Sequence, residues 1–174
     1  MADAAEPFGG PPAVDQTGNL TIWAIPGATA GINLDAITAA QLGAATAKRI
    51  TYSFTAEGWS PNPTQSKEAD NRLTARQSRQ SLQAVQNDIP DIVYVESADP
   101  TSADAILTPG EWIFVERRSV PNATLAATSQ KVRAYSLTLG EKLPGPITGT
   151  GKFTKKQAVA VNYVSAEHAL ASGS

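Results

Sequence analysis

The chain has 174 residues, no cysteine, one histidine and a formal net charge of -2, with 17% charged and 41% hydrophobic residues. That length suffices for one domain whose core needs no metal or disulfide support, and the cysteine and histidine counts exclude disulfides, thiolate nucleophiles, Cys-ligated metals and a two-histidine metal site. The mild charge balance argues against both a polybasic nucleic-acid binder and a charge-rich disordered chain, so any contact with DNA is expected to be weak and independent of sequence.

The opening MADAAEPFGGPP is acidic and lacks the basic and apolar segments of a signal peptide. No run approaches the roughly 20 apolar residues a membrane helix requires, which predicts synthesis and initial use in a cytoplasm. Residues 1–18 contain Gly9, Gly10, Pro11, Pro12 and Gly18 and few large apolar side chains, and read as a flexible arm.

Leu20 to Pro26 (LTIWAIP) reads as a strand closed by Pro26 and Gly27. Asp35 to Ala47 is Ala-rich with a thin apolar stripe, which leaves a short helix and an irregular loop both open. Ile50 to Thr55 alternates, with Ile50, Tyr52 and Phe54 on one face, and predicts a half-buried strand. Gly58, Pro61 and Pro63 then predict a long projecting loop over 57–71, more a contact device than an ordinary turn.

Lys67 to Gln86 tolerates either a helix or two short strands, and strands are preferred because the next segment is strongly β-forming. That segment, Ile89 to Glu96, is β-branched and aromatic, with Pro90 confining it to an edge or a strand entrance. Thr101 to Asp104 has capping-box spacing ahead of one or two helical turns. Glu111 to Arg117 (EWIFVER), introduced by Pro109-Gly110, is the strongest strand; Lys131 to Leu139 alternates well, and Phe153 to Val164 reads as one last strand. Six or seven short strands with one or two helical turns make a mainly β domain over 19–165, a sandwich or a small barrel, with a flexible tail over 166–174.

No constellation points to chemistry. Asp88, Asp91, Asp99 and Asp104 sit beside prolines or at a helix start, where turn and capping roles account for them. His168 lies in an Ala/Ser/Gly-rich tail. Gly149 to Lys152 lacks the upstream glycine of a phosphate loop and runs into a strand. Arg72, Arg76 and Arg79 would form a basic stripe on a helix, beside the acids Glu68 and Asp70. Trp23 and Trp112 fall in strand runs and are expected in the core, whereas Trp59 is either tucked under its own loop or offered to a partner. The reading is therefore of a non-enzyme with no cofactor and no metal.

The order of segments, LTIWAIP, ITYSFTAEGW, ADNRLTARQ, IPDIVYV, LTPGEWIFVERRSV and KVRAYSLTLGEK, resembles the major tail, or tail tube, proteins of siphophages infecting actinobacteria, over about residues 19–165. The resemblance implies a β-sandwich or half-open barrel flanked by a helix, and self-assembly into hexameric rings stacked into a tube. Within a ring, strands of adjacent subunits would pair into a continuous inner barrel that leaves no free sheet edge. It implies partners among other tail proteins (tape measure, terminator, distal tail), passage of DNA through the lumen, no membrane, assembly in the host bacterial cytoplasm and a place in the virion tail. The 57–71 loop would reach a neighbouring subunit or ring, with Trp59, Pro61, Pro63, Lys67, Glu68, Asp70, Arg72 and Arg76 as contact residues. Lys152, Lys155 and Lys156 must be paired or face outward if the last strand lines a DNA channel. The alternatives are a tail terminator or head decoration protein, or a monomeric carbohydrate-binding sandwich using Trp59, Trp112 or Tyr94 as a stacking platform.

Overall fold

The computed structural model describes residues 13–29, 31–70, 79–147 and 149–172. The chain runs through β1 (Leu20–Pro26), α1 (Ala39–Gly43), β2 (Lys48–Arg49), a 3-10 turn at Thr51–Ser53, β3 (Asn62–Asp70), β4 (Arg79–Asp88) and β5 (Ile92–Val95). It continues with α2 (Ala103–Ile106), β6 (Gly110–Arg118), β7 (Lys131–Leu139), β8 (Leu143–Pro144), β9 (Thr154–Gln157), β10 (Val159–Val164) and β11 (His168–Ala169).

β6 is the middle of the main sheet, whose order is β10-β7-β6-β1-β2, with β11 pairing the start of β7. Residues Trp112 through Arg117 are all buried. Because successive side chains of a strand point to opposite faces, this sheet must be covered on both sides. On one side Ile22, Ala24, Phe114, Tyr135 and Leu137 pack against Ile89, Ile92, Tyr94, Ala103 and Leu107. On the other, Trp23, Ile25, Ile113, Val115, Val132 and Ala134 pack against Ile37, Leu42 and Leu170. The first side is covered by α2 and a small sheet of order β5-β9-β8, the second by α1 and the C-terminal stretch. The result is a mainly β, sandwich-like fold with minor helices, whose sheets do not close into a barrel.

Local chemistry fixes the short helices. Thr38 Oγ1 accepts from Gln41 N–H while Gln41 Oε1 accepts from Thr38 N–H, a complete capping box that starts α1. Ser102, not Thr101, caps α2, its hydroxyl accepting from Ala105 N–H.

Four expectations need correction. Ile50–Thr55 is not a strand: Thr51 Oγ1 accepts the Ile22 N–H at 2.8 Å, so a side chain takes the place of a strand on that part of β1, and Tyr52 is exposed. The 57–71 stretch is not all loop, because Asn62–Asp70 forms β3. Phe153–Val164 is not one strand: it switches sheets at Ala158, β9 pairing with β5 and β8, and β10 with β7. Residues 166–172 are docked, with β11 on β7, Leu170 buried, and Ala171 N–H donating to Ile37 O. Of the expected tail only Gly173 and Ser174 lie outside the described residues, as do residues 1–12 of the expected N-terminal arm.

Arg117 is wholly buried, with no carboxylate partner among the described residues. Its guanidinium donates to Gln130 Oε1 at 2.8 Å, Thr124 O at 2.9 Å, Thr21 Oγ1 at 3.0 Å, Pro121 O at 3.2 Å and Leu125 O at 3.3 Å, and sits 5.1 Å from the centre of the Trp23 ring. It thereby folds the β6–β7 connection onto the sheet. Replacing it (Arg117→Met) should cost about 2–4 kcal/mol, read as a lower denaturant midpoint, because several buried acceptors lose a charged donor at once. Arg117→Lys should not restore stability, since one ammonium cannot span acceptors arranged for a fork.

Candidate assembly surfaces

Among the described residues β3 and β4 pair only with each other, in register from Asn62–Asp88 to Asp70–Arg79 with an irregularity between Gln65 and Lys67. At a strand's rise per residue the ribbon is about 30 Å long. All ten residues of β4 are exposed, including Leu82 at 65% and Val85 at 52%. The side chains that hold it together are polar: Gln83 Nε2 donates to Glu68 Oε2, and Gln65 Nε2 donates to Gln83 O at 2.8 Å. A two-stranded ribbon alone in water is marginally stable, and both of its outer edges present unpaired backbone groups.

The ribbon's root is firm where its shaft is not. Trp59 packs on Phe114 with ring centres 5.3 Å apart and edge-on against Tyr135 at 5.2 Å. Its Nε1–H donates to Glu116 Oε2 at 3.1 Å, the oxygen that also accepts from the Tyr135 hydroxyl at 3.0 Å. Glu116 Oε1 pairs with Arg118. Burial and the neighbouring Glu116 charge push the Tyr135 phenol well above its ordinary value, so it stays a donor. Gly58 turns the chain into this position: its carbonyl accepts from Val93 N–H, and a Cβ there would fall 1.8 Å from Val93 O. At the same end, where Asp88 pairs with Asn62, the residue that follows β4, Ile89, is buried in the core.

The lysines near the start of the last sheet segment divide. Lys155 Nζ contacts both oxygens of Asp104 at 2.9 Å and lies 3.6 Å from Glu96, and Lys142 lies 3.6 Å from Asp104. Lys155 is thus paired, whereas Lys152 is exposed and Lys156 half-buried. Asp104 is a buried ion-pair partner that also accepts from Ser97 N–H, a larger role than helix capping. Burial resists the ionisation of Asp104, but the Lys155 and Ser97 hydrogen bonds and the two lysine charges outweigh it and hold the carboxyl below its ordinary value. Asp99 keeps the expected turn role, accepting from the backbone and hydroxyl of Thr101.

The residues expected to make contacts therefore separate. Trp59 is half-buried at the root with Pro61, while Pro63, Lys67 and Glu68 are exposed along β3 and Asp70 ends it. Arg72 and Arg76 lie outside the described residues. Sequence reasoning did not single out Glu116, Arg118 and Tyr135 as the clamp on Trp59, nor Leu82 and Val85 on the ribbon. The one available signal was a Glu-Arg-Arg run ending an otherwise apolar strand. Trp112 and Tyr94 are buried and Trp59 is clamped, so these three form no exposed stacking platform for a sugar. His168 instead joins the C-terminal stretch to Ile37, whose N–H donates to Nε2 at 3.4 Å.

A family model described as "Phage tail tube protein" matches residues 10–173. No curated protein matches the chain.

The Asp104 pairing gives a signed pH dependence. A carboxyl held below its ordinary value of 3.8 contributes stability that is present above that value and is lost as pH falls through the lower, folded-state value. Acid unfolding should therefore begin below pH about 4, and Asp104→Asn should flatten that limb. The same variant should lower stability near neutral pH by about 1–3 kcal/mol, leaving Lys155 half-satisfied, as measured by denaturant titration across pH.

Proposed function

The chain belongs to the phage tail tube protein family, and we propose that it acts in a siphophage tail as the major tube subunit, closing into hexameric rings that stack into a DNA conduit. Family membership places the chain among structural proteins of the phage tail. The finer reading rests on one observation above all: a ribbon of about 30 Å that is rooted in the core and exposed along its whole described length. A firm root with an unsupported shaft is what a segment needs if its packing partner is another copy of the chain.

On this reading, Pro63, Lys67, Glu68 and Asp70 on β3, with Arg72 and Arg76 beyond it, meet a neighbouring subunit or ring, joined by Leu82 and Val85 of β4. Trp59 and Pro61 hold the root. Lateral closure would use β10, whose far side no described strand pairs. The polar and mixed-charge side chains of the ribbon, and the pairing of Lys155 with Asp104, suit a lumen that does not retain phosphate. Assembly would take place in the host cytoplasm beside tape-measure, terminator and distal tail proteins, and the finished tube would pass DNA during ejection.

Concentrated protein viewed by negative-stain electron microscopy, with light scattering in parallel, should give hollow tubes or stacked six-fold rings. A single ring that never extends would favour a terminator role, and a monomer persisting at every concentration would defeat self-assembly by the isolated chain. Leu82→Arg with Val85→Asp should leave the fold intact by circular dichroism, because both side chains are exposed. It should raise the concentration needed for polymerisation by about tenfold or more, since roughly 1.4 kcal/mol per contact suffices for that factor.

A further inference from the structure

The irregularity in the β3–β4 pairing decides which side chains share a face of the ribbon. Gln65 pairs with Val85 and Lys67 with Leu82, so the step between the two pairs takes two residues on β3 and three on β4. The extra residue makes a bulge in β4. Residues directly opposite each other point to the same side, and Gln65 and Lys67 are two apart on one strand, so Leu82 and Val85 share a face although three apart in sequence. That face also carries Pro63, and its one charge is Lys67. The opposite face carries Thr64, Glu68, Gln86 and Asp88, and the hydrogen bond from Gln83 to Glu68 lies there. The ribbon is thus two-sided, apolar with a cation on one face and polar with acids on the other.

The apolar face measures about 30 Å by roughly 10 Å, well under the about 800 Å² that each side of a stable pairwise interface buries. A patch of that size suits a contact repeated around a closed ring, where every copy gives it once and receives it once. Its cover must be exposed, partly apolar and acidic. Such a corner stands at the open edge of the main sheet. Tyr163 of β10 is 45% exposed, and its hydroxyl donates to Asp35, 2.9 Å from each carboxylate oxygen. Asp35 is itself exposed, and neither it nor Lys67 has an ion pair among the described residues. We propose, building on the tube reading, that the Leu82–Val85 face of one copy lies on the Tyr163–Asp35 corner of the next, with Lys67 against Asp35. A carboxylate accepts several hydrogen bonds, so Asp35 can hold the ammonium without releasing Tyr163. The contact joins unlike surfaces and therefore propagates from copy to copy. Glu68, on the far face, meets an adjacent ribbon or ring instead.

Charge exchange tests the pairing. Lys67→Asp should raise the concentration at which light scattering detects polymer by about tenfold, because an attractive pair becomes a repulsive one. Adding Asp35→Lys to the same chain should bring it back to within about twofold of wild type. No recovery, with the wild-type chain polymerising, would overturn this contact and leave the tube reading standing. A wild-type chain that stays monomeric at every concentration would remove both. Cross-linking supplies a readout that needs no charge change, and the chain has no cysteine of its own to interfere. Leu82→Cys protein mixed with Tyr163→Cys protein and wild type, at a polymerising concentration under mild oxidation, should give a disulfide-linked dimer on non-reducing gels, with the junction identified by peptide mass. Ser81→Cys protein, whose thiol sits one residue away on the opposite face, should link to Tyr163→Cys at least about tenfold more slowly. Equal rates, or no link from Leu82→Cys, would count equally against the contact.

Discussion

Six consecutive residues of β6, Trp112 to Arg117, are buried, and that double-sided burial governs most of what surrounds them. A strand covered on both faces cannot dispose of polar residues by alternation, so every side chain needs either an apolar neighbour or a dedicated partner. Trp112 and Phe114 face one core and Ile113 and Val115 the other. The next two positions are charged and, by the same parity, enter opposite cores. Glu116 meets Trp59 and Tyr135; Arg117 meets Trp23 and the carbonyls of the β6–β7 connection.

These two buried charges are more than tolerated. Each converts the cost of leaving water into a fixed position for a segment that lacks regular structure of its own. Glu116 ties down the residues leading into the β3–β4 ribbon, so the ribbon leaves the domain in a defined direction although its shaft touches little. Arg117 draws Pro121, Thr124, Leu125 and Gln130 around one guanidinium, which accounts for an ordered connection between β6 and β7 with few apolar contacts. Asp104 repeats the device between α2, the end of β5 and β9, where Lys155 and Lys142 supply the counter-charge.

The strands that build the two cores were legible because their patterns are local. Leu20–Pro26, Glu111–Arg117 and Lys131–Leu139 advertise themselves by β-branched and aromatic alternation, and each became a strand of the main sheet. The misreadings share a different cause, namely partners far away in sequence. Ile50, Tyr52 and Phe54 alternate as a strand would, but Thr51 satisfies Ile22 through its side chain and ends the pairing there. The break at Ala158 depends on Gln157, which is buried and bridges Tyr94 and Gly140, a tie that no periodicity announces. The C-terminal stretch looked like a tail for its small residues, yet Leu170 is one of the caps of the second core. For the candidate site, the stretch around Trp59 stood out by its glycine and prolines. Its clamp did not, because a glutamate in a strand run gives no sign of which aromatic hydroxyl and indole it will meet.

The exposed ribbon and the open side of β10 also raise the question of how open edges avoid indiscriminate pairing. Unpaired edges invite indiscriminate pairing when they are long, flat and greasy. Here the open strands carry mostly small or polar groups: Ala160 and Asn162 beside Tyr163 on the exposed side of β10, and glutamines with opposite charges along β3 and β4 around Leu82 and Val85. β5 is not open at all, since Thr55 and Gly58 occupy its outer side. An edge of that kind gains little from a random encounter, where only a few backbone hydrogen bonds form at modest net benefit. It gains more from a symmetric neighbour that engages the whole ribbon at once, because the ordering cost is met once while the contacts add. Weak edges displayed on a firmly rooted arm therefore favour an ordered contact over aggregation, which is the balance the proposed tube assembly requires.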